Sequence, residues 1–133
     1  MTSLLLLAGY GQLALALGSL AIPRILGWRE ETRRLESLTR AVFWTYAGYI
    51  WAAHLGFALI SILMPQELLD GSSLSRAVAA FISGWWGVRL VLQWWFRKLG
   101  PTGPLYLLGE FALTVTFLAC AAFYGLIAAG VRL

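Results

Sequence analysis

Residues 77–96 read Ala-Val-Ala-Ala-Phe-Ile-Ser-Gly-Trp-Trp-Gly-Val-Arg-Leu-Val-Leu-Gln-Trp-Trp-Phe. As a helix rising about 1.5 Å per residue, the run spans about 30 Å, the thickness of a bilayer's hydrocarbon core. Arg89 and Gln93 nevertheless sit inside it. A charge at that depth costs about 2.5–3.5 kcal/mol on insertion scales, so it is expected to face protein and to have a partner. Trp85, Arg89, Gln93 and, one turn on, Phe96 fall along one helical stripe. A polar stripe on an otherwise apolar crossing predicts a helix inside a membrane bundle.

Composition agrees with that class. Hydrophobic residues make up 60% of the 133 residues and charged residues 12%, against about 45–50% and about 25% in soluble proteins. Mean hydropathy is +0.77. A soluble globule of this composition would lack the polar residues to cover its surface. The lone cysteine, Cys120, excludes an intrachain disulfide, and no Cys/His cluster has metal-ligand spacing.

Three further segments have crossing length. Residues 3–22 are apolar and precede Pro23, which is expected to end or kink the helix. Met1-Thr2-Ser3 provides no basic leader region, so this segment reads as a retained crossing rather than a cleaved signal. Residues 41–64 form the second crossing and residues 105–129 the fourth. Between the first two lies a charged connector, residues 24–40, where five arginines alternate with Glu30, Glu31 and Glu36. Glu30 with Arg34, and Glu36 with Arg40, have the spacing and order of favourable helical ion pairs. The connector is expected to be a short amphipathic helix on the membrane surface with Trp28 at headgroup depth. It reads as a solvated charged face, or as a patch for anionic lipid or a partner. Residues 65–76 make a polar turn. The expected fold is an all-α integral membrane protein, one domain built as a four-transmembrane-helix bundle.

Seven basic residues (Arg24, Arg29, Arg33, Arg34, Arg40, Arg97 and Lys98) fall in the loops after the first and third crossings. The opposite side holds Arg76 and Arg132. The excess of positive charge predicts cytoplasmic basic loops and outside termini in a plasma or inner membrane. It also explains the basic character without nucleic acid.

Antiparallel third and fourth crossings bring Arg89, Gln93 and Glu110 to similar depth, on the order of 4, 10 and 9 Å from the midplane. Tyr106 and Thr114 share the Glu110 stripe. These residues, with Trp85, are the expected polar cluster, centred on an Arg89–Glu110 pair. That pair reads either as a structural device fixing helix register or as a pocket for a lipid-like small molecule. His54 lies near the midplane of the second crossing as a packing or relay histidine, with Gln12 a candidate partner. A single histidine gives no bis-His haem site, and no cofactor is expected. Gly48, Ala52 and Gly56 form one small-residue ridge, and Ala121, Gly125 and Ala129 a second; both suit close helix packing.

In size and helix number the chain resembles small multidrug-resistance transporters. Their essential glutamate lies in the first helix, where this chain has only Gln12. It also resembles the four-helix membrane enzymes of eicosanoid and glutathione metabolism. Their Arg/Asn/Glu signature belongs to the second helix, where this chain has only His54. Both resemblances concern architecture alone. Three functions follow in order of expectation. The first is a non-catalytic scaffold or accessory subunit within a homo-oligomer or larger membrane complex. The second is a transporter or binder of a small amphiphile at the Arg-Gln-Glu site. The third is an enzyme on a lipid-like substrate, with His54 or Glu110 as base.

Overall fold

The computed structural model describes residues 1–100 and 102–132, and among them there are helices and no strand. In chain order the helices are α1 (Thr2–Ser19), α2 (Ile22–Ile25), α3 (Trp28–Thr32), α4 (Ser37–Leu63), α5 (Pro65–Leu68), α6 (Ser73–Phe96) and α7 (Pro104–Ala128). Three spans are long and apolar enough to cross a membrane: Thr2–Ile25, Ser37–Leu63 and Pro104–Ala128. Helix α6 matches them in length with 24 residues. Its serines, its two arginines and Gln93 leave it less apolar than those three.

The chain forms two compact units. In the first, Thr2–Pro65, α1 and α4 pack as an antiparallel hairpin. Leu5, Gly9, Gln12 and Ala16 are the buried positions of α1, at four-three-four spacing. Opposite them α4 presents Ala58 and Ser61 and, nearer its start, Trp51. A Cβ added at Gly9 would lie 2.8 Å from Ile62 Cγ1 and 3.0 Å from Ser61 Cβ. Gly9 is therefore a point of close approach between the two helices, which the lack of a side chain allows.

The connector departs from the expected single helix. The break falls at residues 20–21, before Pro23, which sits inside the first turn of α2 where its missing donor is harmless. Gly27 takes a left-handed conformation, φ 65°, between α2 and α3. Helix α3 ends at Thr32, so Glu30 and Arg34 no longer share a helix, and Glu30 pairs with Arg33 at 3.1 Å instead. Glu36 becomes the cap of α4 and makes no recorded ion pair with Arg40. The first expected pair is thus replaced because α3 ends before Arg34, and the second is absent, Glu36 being the extended cap residue rather than a member of the helix.

In the second unit, which begins at Gln66, α6 packs against α7. Ser72 caps α6 by accepting from Ser75 N at 3.1 Å, and Asp70 accepts from Ser72 N at 2.8 Å. The buried residues of α6 are Ser75, Ala79, Ile82, Trp86 and Gln93, a four-three-four seam with Arg89 at the intervening position. The α7 seam runs through Phe117, Cys120, Tyr124 and Ile127. Trp86, fully buried, stacks on Phe117 with centroids 5.2 Å apart and planes at 19°, an aromatic contact that contributes about 0.5–1.5 kcal/mol beyond burial. Ser83 Oγ donates to Ala121 O at 2.7 Å and stands 3.2 Å from where a Gly125 Cβ would be. Arg76 Nε donates to Ala128 O at 2.8 Å, meeting an end carbonyl that the helix itself leaves free.

Candidate functional site: the polar end of the second hairpin

Helices α6 and α7 are closely packed near Ser83 and Gly125, and between Phe117 and the joining loop α7 has no buried residue. The contacts Ser83–Ala121 and Trp86–Phe117 set a register in which Glu110 comes level with Gln93. Glu110 Oε2 meets Arg97 Nε at 3.5 Å. The expected partner, Arg89, is not the one recorded. Helical side chains lean toward the N-terminus of their own helix. Glu110 on α7 therefore leans toward the loop, and Arg97 at the end of α6 leans back from it, so the two meet. Arg89 lies two turns deeper than Arg97, on the side from which Glu110 leans away.

Arg89 is held differently. Its guanidinium carbon lies 5.2 Å from the Phe117 ring centroid and 5.5 Å from that of Phe96, within the range of cation–π attraction. Its buried Nη1 has no hydrogen-bond partner. Aromatic faces, rather than a carboxylate, compensate this cation.

Between the last turns of α6 and the first turns of α7 lies a groove of about 630 Å³. Leu90, Trp94, Leu107 and Phe111 supply apolar wall, while Gln93, Glu110 and Arg97 supply its polar part. Gln93 is only 8% exposed. Thr114 also lines the groove and donates to Glu110 O at 2.8 Å. Of the six residues expected to cluster, Gln93, Glu110 and Thr114 are brought together here. Tyr106 is 44% exposed, one turn nearer the start of α7. Trp85 stands beside the seam with its ring 6.2 Å from that of Phe81; its neighbour Trp86 occupies the seam. Sequence reasoning placed Arg97 among the interfacial anchors and missed its pairing with Glu110. The missed signal was the lean of side chains on two antiparallel helices.

His54 falls on the α4 face that meets α1, between Trp51 and Ala58. Gln12 falls between Ala16 and Gly9 on α1. Trp51 meets Ala16 and Ser61 lies beside Gly9, so Gln12 and His54 both belong to the contact face of this hairpin. Gln12 Nε2 also donates to Ala8 O at 3.2 Å. Gly48, Ala52 and Gly56 lie on the other face, and nothing approaches within 4 Å of a Cβ built at Gly48 or Gly56. Of the second ridge, Ala121 and Gly125 receive Ser83, while Ala129 caps α7 and is exposed. No group of three His, Cys, Asp or Glu side chains able to hold a metal occurs among the described residues. No protein family, curated protein or solved structure matches this chain.

Proposed function

We propose that this chain is a non-catalytic membrane protein, a four-crossing bundle that serves as scaffold or accessory subunit to another membrane helix. In this reading α6 crosses with the three more apolar spans, its polar seam covered by α7. The basic residues after the first and third crossings keep those loops in the cytoplasm of a plasma or inner membrane, with both termini outside. The reading rests on one observation: Gly9 and Gly125 are filled by neighbours, whereas Gly48 and Gly56 stand over open space on the outer face of their hairpin. In lipid there is little hydrophobic drive between helices, and close approach over small residues is a main source of association.

Native mass spectrometry of the protein released gently from its own membrane tests this. A mass above the monomer is expected. Gly48→Leu and Gly56→Leu should abolish it, and Gly11→Leu, which also faces open space but on α1, should not. A wild-type monomer, or an assembly indifferent to all three changes, overturns the reading.

A second reading is favoured by the α6–α7 groove: binding of a small amphiphile, its tail against Leu107 and Phe111 and its polar end at Gln93, Glu110 and Arg97. A discrete extra mass on the released protein, lost in Leu107→Trp, is the expected sign. Its absence from both proteins removes this reading.

A further inference from the structure

A second pocket lies outside the site just described, where the connector meets the start of α4. It has a volume of about 370 Å³ and is lined by Arg29, Arg33, Arg40, Thr32 and Trp44. The local fold builds it. The Trp28 ring packs edge-on against Phe43 and Trp44, with centroids 5.0 and 6.0 Å apart, and so clamps α3 onto the first turns of α4. Thr32 is 4% exposed; its hydroxyl donates to Trp28 O at 2.6 Å and accepts from Trp44 Nε1 at 3.3 Å. Beside this fixed floor three arginines line one cavity. Glu30 pairs with Arg33, and no acidic partner is recorded for Arg29 or Arg40. The pocket therefore carries two positive charges beyond those its own carboxylate offsets.

We infer that this pocket is a binding site for a phosphate group of charge about −2, presented as the monoester headgroup of an anionic lipid or as free phosphate. Guanidinium groups match phosphate oxygens in geometry and bind them in bidentate pairs. A monoester carries a charge of about −1.5 to −2 at pH 7, which matches the uncompensated charge of the pocket; a diester, with a single charge, does not. The setting suits a lipid. Trp28, Phe43 and Trp44 form an aromatic cluster at one end of a crossing helix, the position such residues take at headgroup level. Basic pockets at that level recognise phosphorylated headgroups.

The test uses the full chain in detergent, with Trp fluorescence and native mass spectrometry as readouts. The probes are dioctanoyl phosphatidic acid (a monoester), dioctanoyl phosphatidylglycerol (a diester) and inorganic phosphate. Phosphatidic acid is expected to bind saturably and about tenfold more tightly than phosphatidylglycerol. Arg29→Gln and Arg40→Gln should each weaken it about tenfold, and Arg24→Gln, in the same connector but outside the pocket, should leave it unchanged. Arg40→Lys, which keeps the charge but not the fork, should fall between. Inorganic phosphate binding as tightly as phosphatidic acid supports the site with the free ion as its source; much weaker binding supports the lipid. Equal affinity for the two lipids, no binding of either phosphatidic acid or inorganic phosphate, or equal loss in Arg24→Gln overturns the inference.

Discussion

Trp51 Nε1 on α4 donates to the backbone carbonyl of Ala16 on α1 at 2.9 Å. Ala16 belongs to the last turn of α1, whose carbonyls lack partners further along the helix. Leu17 O and Gly18 O are taken by the tight turn, through Leu20 N and Ala21 N. Ala16 O is taken by Ser19 Oγ at 2.7 Å and by the indole. The hairpin is thus fastened where α1 would otherwise leave its end carbonyls without partners.

Trp51→Phe removes this donor while keeping most of the ring. A loss of about 1 kcal/mol is expected, the scale of interhelical hydrogen bonds in membranes, measured as a lower unfolding midpoint in detergent. Trp94→Phe, on an exposed indole, should leave the midpoint unchanged.

Gly9→Val should destabilise by about 1–3 kcal/mol, because the added atoms must displace Ile62 and Ser61 from a packed contact. Gly11→Ala faces open space and should be neutral or stabilising by up to about 1 kcal/mol through helix propensity. Equal effects of the two changes in the same unfolding assay would contradict the close approach at Gly9.

Arg89 is met by two aromatic faces and no carboxylate, so Arg89→Met, which can keep contact with those rings without a charge to desolvate, is expected to leave stability unchanged or to raise it. Glu110→Gln breaks a long pair whose arginine side chain is 62% exposed and whose carboxylate is 21% exposed, and should cost under about 1 kcal/mol. A loss of several kcal/mol in Arg89→Met would show that the guanidinium holds a partner in the membrane.

The Asp70 carboxyl is held below its ordinary value of 3.8, chiefly by the backbone hydrogen bond from Ser72 and then by the Ser72 and Ser75 side chains. A depressed folded value contributes stability that is fully present above the unfolded value and is lost as pH falls through the folded one. Acid should therefore loosen the start of α6 below about pH 4. Hydrogen exchange at Ser72 and Ser75 should report this in the wild type and lose its pH dependence in Asp70→Asn.

The amino-acid sequence by itself determined that this chain is helical and where its long helices run; of the four crossings it suggests, three are long and apolar enough to span a bilayer. Those features follow from apolar runs and from turn residues such as Gly71 and Pro104, whose effects are local. It also placed Glu110 and Gln93 at one level, because depth depends only on rise per residue. Tertiary structure decided what side-chain direction and register control. Glu110 meets Arg97 because the two lean toward each other across antiparallel helices, and Trp86 rather than Trp85 enters the seam. Gly9, rather than the Gly48–Gly56 ridge, receives the partner helix in the first hairpin. The arginine pocket appears only because the chain turns after Thr32, which brings Arg29 and Arg33 back beside Arg40. Such choices depend on which faces meet, and that is fixed by packing between distant residues rather than by any window of sequence.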